Sequence, residues 1–245
     1  LYGVLVPSDG RDRRRRVSAV LMAAKRTQLA LDLRHRAAME REDFLVSPSN
    51  AEAVAWIDRW PDWPGPALVL IGPPGSGKTH LGHVWRRHAN AAPFDPALQA
   101  TEQAETPVFV DDIGVPGRDE ELFHLFNAVA AADGSVLFAS STAPAQWENR
   151  LPDLKSRLAA APNIQIQAPD SALIAAVMLK MFADEQMDVG ADVLDYLVNR
   201  MERSFDSARS LVRKLNNASL ATRRGITIPL AREVLESDSS DGQPI

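Results

Sequence analysis

Eight consecutive residues carry the most specific chemical signal in the sequence. Gly72-Pro73-Pro74-Gly75-Ser76-Gly77-Lys78-Thr79 fits G-x-x-x-x-G-K-[ST]. In that pattern glycines let successive backbone N–H groups curl around phosphate oxygens, and the helix that follows adds its positive N-terminal dipole. Lys78 is then the residue that reaches the β- and γ-phosphates, and the Thr79 hydroxyl ligates Mg²⁺. His80, directly after, is grouped with the loop among the nucleotide-contacting residues. A second group is Pro107-Val108-Phe109-Val110-Asp111-Asp112. Asp111, at the end of an apolar run, is placed to hold Mg²⁺ through water. Asp112 beside it is placed to polarise an attacking water. The expected cofactors are ATP or ADP with Mg²⁺.

This chemistry needs strands that end at the loop and helices that start from it. Ala67–Ile71 is an apolar run bounded by proline and glycine, the pattern of a buried parallel strand. Val108–Val110, Val136–Ala139 and Asn163–Ile166 read the same way. Helices are predicted over Asn50–Trp60, Lys78–Asn90, Glu120–Ala132 and Gln146–Leu158, and any strand within 91–107 must be short and at an edge. Strands alternating with helices imply an α/β fold, a P-loop parallel sheet covered on both faces. After Pro169 the strands stop. Ser171–Gln186, capped by Asp170, places Leu173, Ile174, Val177, Met178, Met181 and Phe182 on one face. Val193–Met201, Ser207–Thr222 and Pro229–Leu235 follow as helices of a small helical lid. The expected divisions are an arm over 1–43, an α/β domain over 44–169, the lid over 170–236 and a polar tail over 237–245.

With these blocks in place the chain resembles the AAA+ ATPases of the DnaA clade from about Phe44 to Leu235. Phe44-Leu45-Val46-Ser47-Pro48-Ser49-Asn50 is similar to the leading segment that lines the adenine side of the site, which implicates Asn50. Leu151-Pro152-Asp153-Leu154-Lys155-Ser156-Arg157-Leu158 resembles the block whose arginine, here Arg157, is a finger reaching a neighbouring subunit's nucleotide. Ser207-Ala208-Arg209-Ser210-Leu211 resembles the sensor-2 helix, which implies that Arg209 meets the γ-phosphate from the lid. Sensor 1 falls on Ser141, where the family usually carries Asp or Asn. Each arginine has an ordinary alternative as a helix cap or a solvated surface residue.

The chain departs from the DnaA initiators in two ways. No helix-turn-helix region follows the lid, and only 31 residues separate Thr79 from Asp111, with no room for the helical insertion that initiators use on single-stranded DNA. What remains is similar to the clade's regulators that work with the replication sliding clamp. Such a regulator demands a clamp-binding peptide, and Gln28-Leu29-Ala30-Leu31-Asp32-Leu33 fits the form Q-L-x-L-x-L. Gln28 would enter a polar pocket while Leu31 and Leu33 fill an apolar one, with Leu29 grouped among the partner-binding residues. The implied partners are the DnaA initiator and the β sliding clamp of DNA polymerase III, with self-association through the Arg157 surface as a further option. The implied activity is stimulation of ATP hydrolysis by DnaA, with slow hydrolysis of its own. Two rival readings remain: an initiator or helicase loader acting directly on DNA, and a nucleotide-locked adaptor without effect on hydrolysis.

Composition narrows the classes. The 245 residues carry net charge −5 and no cysteine, which excludes disulfides and thiol catalysis. Five arginines among the first 21 residues give that stretch +3 and leave the remainder at −8, unsuited to a broad DNA-coating face. Residues 1–26 read as disordered. They form either a basic arm or a stretch upstream of a start at Met22, with Met22 favoured. No apolar run reaches the roughly 18 residues of a membrane span, and a cytoplasmic protein is expected. His80, His83 and His88 share a helix without completing a zinc set. Trp56, Trp60, Trp63 and Trp85 read as core packing.

Overall fold

The computed structural model describes residues 45–222 and 224–241. The predicted arm, with Gln28, Leu29, Leu31 and Leu33 of the expected clamp peptide, lies outside the described residues, as does Phe44. In chain order the elements are α1 (Ala51–Asp58), β1 (Ala67–Ile71), α2 (Lys78–Ala89), β2 (Ala92–Pro93), α3 (Ala100–Gln103), β3 (Val108–Val110), α4 (Asp119–Ala131) and β4 (Val136–Ser140). A 3₁₀ turn over Pro144–Gln146 leads to α5 (Pro152–Ala160) and β5 (Asn163–Gln165). Four further helices follow: α6 (Ser171–Asp184), α7 (Ala191–Val198), α8 (Phe205–Thr222) and α9 (Ile228–Asp241).

The five strands form a parallel sheet in the order β2-β3-β4-β1-β5. The chain crosses from β1 out to β2 and β3, returns to β4 beside β1, and then passes to β5 on the other side. β1, β3 and β4 are buried along their whole length, which is why they read as unbroken apolar runs rather than alternating ones. Alternate residues serve opposite faces. Val69, Ile71, Val110 and Phe138 pack with Leu122, Leu125, Leu154 and Leu158 of α4 and α5. Leu68, Leu70, Leu137 and Ile164 pack with Ile57 of α1 and with Leu81 and Trp85 of α2. α2 lies close on β3 because Gly82 has no side chain: a Cβ there would fall 2.1 Å from the Phe109 ring. Trp63 stacks on Trp85 at 5.3 Å and its indole N–H donates to the Trp56 carbonyl at 2.8 Å, so these tryptophans are core.

The lid has its own core, in which Ile174, Met178 and Phe182 of α6 meet Leu197, Leu211, Leu215, Ala231 and Val234. Burial of each large apolar side chain contributes about 1.5–3 kcal/mol, and this cluster is where the four helices pack on one another. Asp170 caps α6 by accepting from the Leu173 N–H at 2.7 Å. Ser204 does the same for α8, its Oγ accepting from the Ser207 N–H at 3.1 Å. The 91–107 stretch yields a two-residue strand at the sheet edge, as the sequence reading expects. The C-terminal boundary differs: the polar run after Leu235 continues α9 to Asp241 instead of fraying as a tail.

Candidate functional site

The phosphate-loop sequence leaves β1 and turns into α2. The loop is fixed at its start by the Gly72 N–H donating to the Ser140 carbonyl at 3.2 Å. Gly72 itself must be glycine, since a Cβ there would fall 2.4 Å from the Ile166 carbonyl oxygen. Gly77 precedes α2 at φ +96°, with no side-chain cap on the first turn, so the N–H groups of that turn stay available to an anion. The Lys78 ammonium donates to the Gly72 and Pro73 carbonyls, both at 2.8 Å. Burial pushes its pKa down, opposed by the carboxylates of Asp111, Asp112 and Asp206. The Ser76 hydroxyl is buried without a hydrogen-bond partner. An uncapped helix start, an orphaned hydroxyl and a buried ammonium resting on loop carbonyls together fit an anionic group such as a phosphate chain.

Beside the loop lies a cavity of about 590 Å³ shared by the α/β domain and the lid, lined by Asn50, Gly75, Gly77, Lys78, Thr79, His80, Arg209 and others. Seven sequence-predicted residues therefore meet at one cavity. Burial lowers the His80 pKa, with smaller effects in the same direction from the positive charges of His83, Arg209 and Arg87. The Asn50 amide is engaged in the wall, accepting from the Ser47 N–H at 2.9 Å and donating to the Leu45 carbonyl at 3.0 Å. Asn50 thus shapes the leading segment at the cavity's edge. Arg209 is 59% exposed and lies 3.7 Å from Asp206 on the same helix.

Other predicted residues stand nearby or apart. Asp111 directly follows β3, its carboxylate accepting from the Asp112 N–H at 3.1 Å, and Asp112 takes φ +49°. This turn lies beside the end of β4: a Cβ at Gly114 would stand at ordinary contact distance from Asp112 Oδ1 (3.6 Å), Ser140 Oγ (3.5 Å) and the Ser141 nitrogen (3.9 Å). Ser141 is exposed just past the strand, while Ser140 is buried and donates to the Thr142 carbonyl at 2.6 Å. Pro73 and Pro74 are exposed on the loop. Arg157 is absent from the cavity lining. It is exposed on α5, its guanidinium 5.3 Å from the Phe123 ring centre and 5.7 Å from that of Phe126.

The sequence reading missed how the lid closes the cavity. Val177, Lys180, Met181 and Asp184 of α6 line it, with Leu173 at the helix start. The apolar face of α6 therefore divides, with Met178 and Phe182 in the lid core, Val177 at the cavity, and Met181 packed on the core while also lining the cavity. Phe205 and Asp206 also line it, and the Phe205 ring would be 3.1 Å from a Cβ at Gly77.

Residues 174–235 match the family model described as "Hda, lid domain". The chain is 28% identical to an uncharacterized protein of Haemophilus influenzae over 190 residues, 69% of this chain and 81% of that protein. Its fold is similar to domain III of the Thermotoga maritima replication initiation protein DnaA, with TM-score 0.68 and 20% identity over 80% of this chain and 95% of the other. AMPPCP-bound DnaA from Aquifex aeolicus follows, at TM-score 0.63 and 16% identity over 81% and 68%. The chain has the fold of the DnaA AAA+ domains, a parallel sheet with helices followed by a helical lid. Over residues 174–235 that lid is Hda-like.

Proposed function

We propose that this chain is a nucleotide-binding regulator of replication initiation that stimulates ATP hydrolysis on DnaA by supplying Arg157 in trans. The observation that carries the reading is the placement of Arg157. It is exposed on α5 over two aromatic rings and outside its own cavity, so its charge is available to a neighbouring molecule's nucleotide. An arginine supplied in this way accelerates phosphoryl transfer by about 10³–10⁵-fold in other nucleotide hydrolases. The Hda lid match and the DnaA-like fold support the regulatory setting, and two of the similar DnaA structures are described as bound to AMPPCP, which supports a nucleotide here.

On this reading Lys78 and the first turn of α2 hold the phosphates, Thr79 and Asp111 hold Mg²⁺, and Arg209 approaches from the lid. When bound, Mg²⁺ would neutralise phosphate charge. Asp112 orients water, and the chain's own turnover is slow. Gln28–Leu33 tethers the protein to the sliding clamp on DNA. The test is hydrolysis of DnaA-bound ATP in the presence of clamp-loaded DNA, with this protein added or withheld. Acceleration is expected, and Gln28→Ala should abolish the clamp-dependent acceleration while nucleotide affinity stays the same. An unchanged rate on adding the native protein would contradict the reading.

A further inference from the structure

Arg150 makes more contacts than any role assigned so far requires. Its side chain is 3% exposed. The Nε–H donates to both Asp119 carboxylate oxygens at 2.7 and 2.8 Å, and the terminal nitrogens donate to the Gly114 carbonyl at 3.0 Å and the Ile113 carbonyl at 3.2 Å. The guanidinium also lies 4.2 Å from the Trp147 ring centre. The Leu151 N–H, at the start of α5, donates to the same Asp119 carboxylate at 2.9 Å. Lys155, one turn into α5, donates to the Trp147 carbonyl at 2.6 Å.

These contacts join three segments. Ile113 and Gly114 form the turn directly after Asp111 and Asp112. Asp119 opens α4, which carries Phe123 and Phe126. Arg150 and Leu151 lead into α5, which carries Arg157. A planar guanidinium with five donors is suited to tie a carboxylate and two carbonyls at once, and a lysine is not.

We infer that Arg150 is the positioning residue of Arg157, fixing α5 against α4 and against the Asp111–Asp112 turn so that the Arg157 guanidinium stays on the Phe123 and Phe126 rings. The functional consequence rests on the proposed action of Arg157 in trans. The geometric claim does not. A cation held on an aromatic face keeps fewer orientations to lose when it enters a neighbour's site, so loosening α5 lowers the maximal rate more than the affinity.

The experiment uses full-length protein labelled with 4-fluorophenylalanine, its Phe123 ¹⁹F line assigned through Phe123→Leu. Arg157→Ala gives the line position with no cation over the ring. Arg150→Lys, which keeps a charge beside Asp119 but cannot hold both carbonyls, should move the Phe123 line toward that position. Arg150→Gln should move it further, and ADP affinity should remain within about twofold of the native value. In the DnaA hydrolysis assay, maximal stimulation should fall at least about tenfold, with the half-saturating concentration of this protein little changed. If Arg150→Gln unfolds, Arg150→Lys carries the test. A native Phe123 line in a folded Arg150 variant would overturn the inference, and full stimulation by that variant where Arg157→Ala loses it would overturn its functional consequence. If Arg157→Ala leaves stimulation intact, the trans reading fails, and the fluorine line still decides the positioning.

Discussion

The backbone N–H of Phe205 donates to the carbonyl of Gly75 at 2.8 Å, so the first residue of the lid's α8 is hydrogen bonded to the phosphate loop itself. Gly75 takes φ +68°, and a Cβ there would fall 2.6 Å from Ser204 Cβ. Only glycine permits this approach without moving the lid. Gly75→Ala should therefore raise the dissociation constant for ADP at least about tenfold, equivalent to about 1.4 kcal/mol. It should also destabilise the fold by about 1–3 kcal/mol through strain and overpacking. Fluorescent-ADP titration and urea unfolding measure the two effects. Native affinity in a destabilised variant would separate the lid contact from nucleotide binding.

Lys78→Ala tests the loop. The ammonium rests on two loop carbonyls, and on the proposed function it is the cation that makes charge-assisted contacts to phosphate. Nucleotide affinity should drop by about 10–100-fold, at about 1.4 kcal/mol per factor of ten, with the far-ultraviolet circular dichroism spectrum unchanged. Calorimetric titration with ADP and Mg²⁺ decides. Unchanged affinity would place the nucleotide elsewhere.

The loop and its flanking strands are legible in the sequence because their signals are local. β1, β3 and β4 are short apolar runs with glycine, proline or aspartate at their ends, and the Lys78 loop has fixed spacing. What stayed hidden depends on distant segments. The apolar periodicity of α6 shows one face but not that Val177 lines the cavity while Met178 fills the lid core. Arg150 looks like any surface arginine until Asp119, Ile113 and Gly114 are brought around it by the fold. Asn50 sits where the family resemblance puts it, yet its amide is committed to Ser47 and Leu45. β2 has only two residues and no periodicity, and the polar residues after Leu235 conceal a helix that propagates from an apolar start.

Gly82→Ala tests the contact of α2 with β3. A Cβ there would meet three atoms of the Phe109 ring at 2.1–2.8 Å, and that ring is buried between helix and sheet. Alanine favours a helix by roughly 1 kcal/mol over glycine, but overpacking costs about 1–3 kcal/mol, so the clash should win. Urea unfolding should show a lower midpoint. A higher midpoint would mean the ring yields freely.

Asp119 gives the pH dependence. Hydrogen bonds from Arg150, and secondarily from the Leu151 N–H, hold its pKa below the ordinary value of 3.8 against an opposing effect of burial. A carboxylate depressed in the fold contributes stability that is fully present above its unfolded value and is lost as pH falls through the folded one. Unfolding free energy should therefore decline as pH drops below about 4, and Asp119→Asn should flatten that part of the profile. At neutral pH the variant leaves Arg150 buried without its counter-charge, at a cost of about 3 kcal/mol. Urea midpoints collected from pH 7 to pH 2 test both. An equally steep acid limb in the variant would assign the loss to other carboxylates.

The central claim is that Arg157 acts on another molecule's nucleotide. Its most direct test is single-turnover hydrolysis of ATP bound to DnaA, with clamp-loaded DNA present, comparing native protein with Arg157→Ala. Arg157→Ala should keep native nucleotide affinity, since Arg157 lies outside its own cavity, and should lose the acceleration by about 10³-fold or more. Equal acceleration by native protein and Arg157→Ala would contradict the claim.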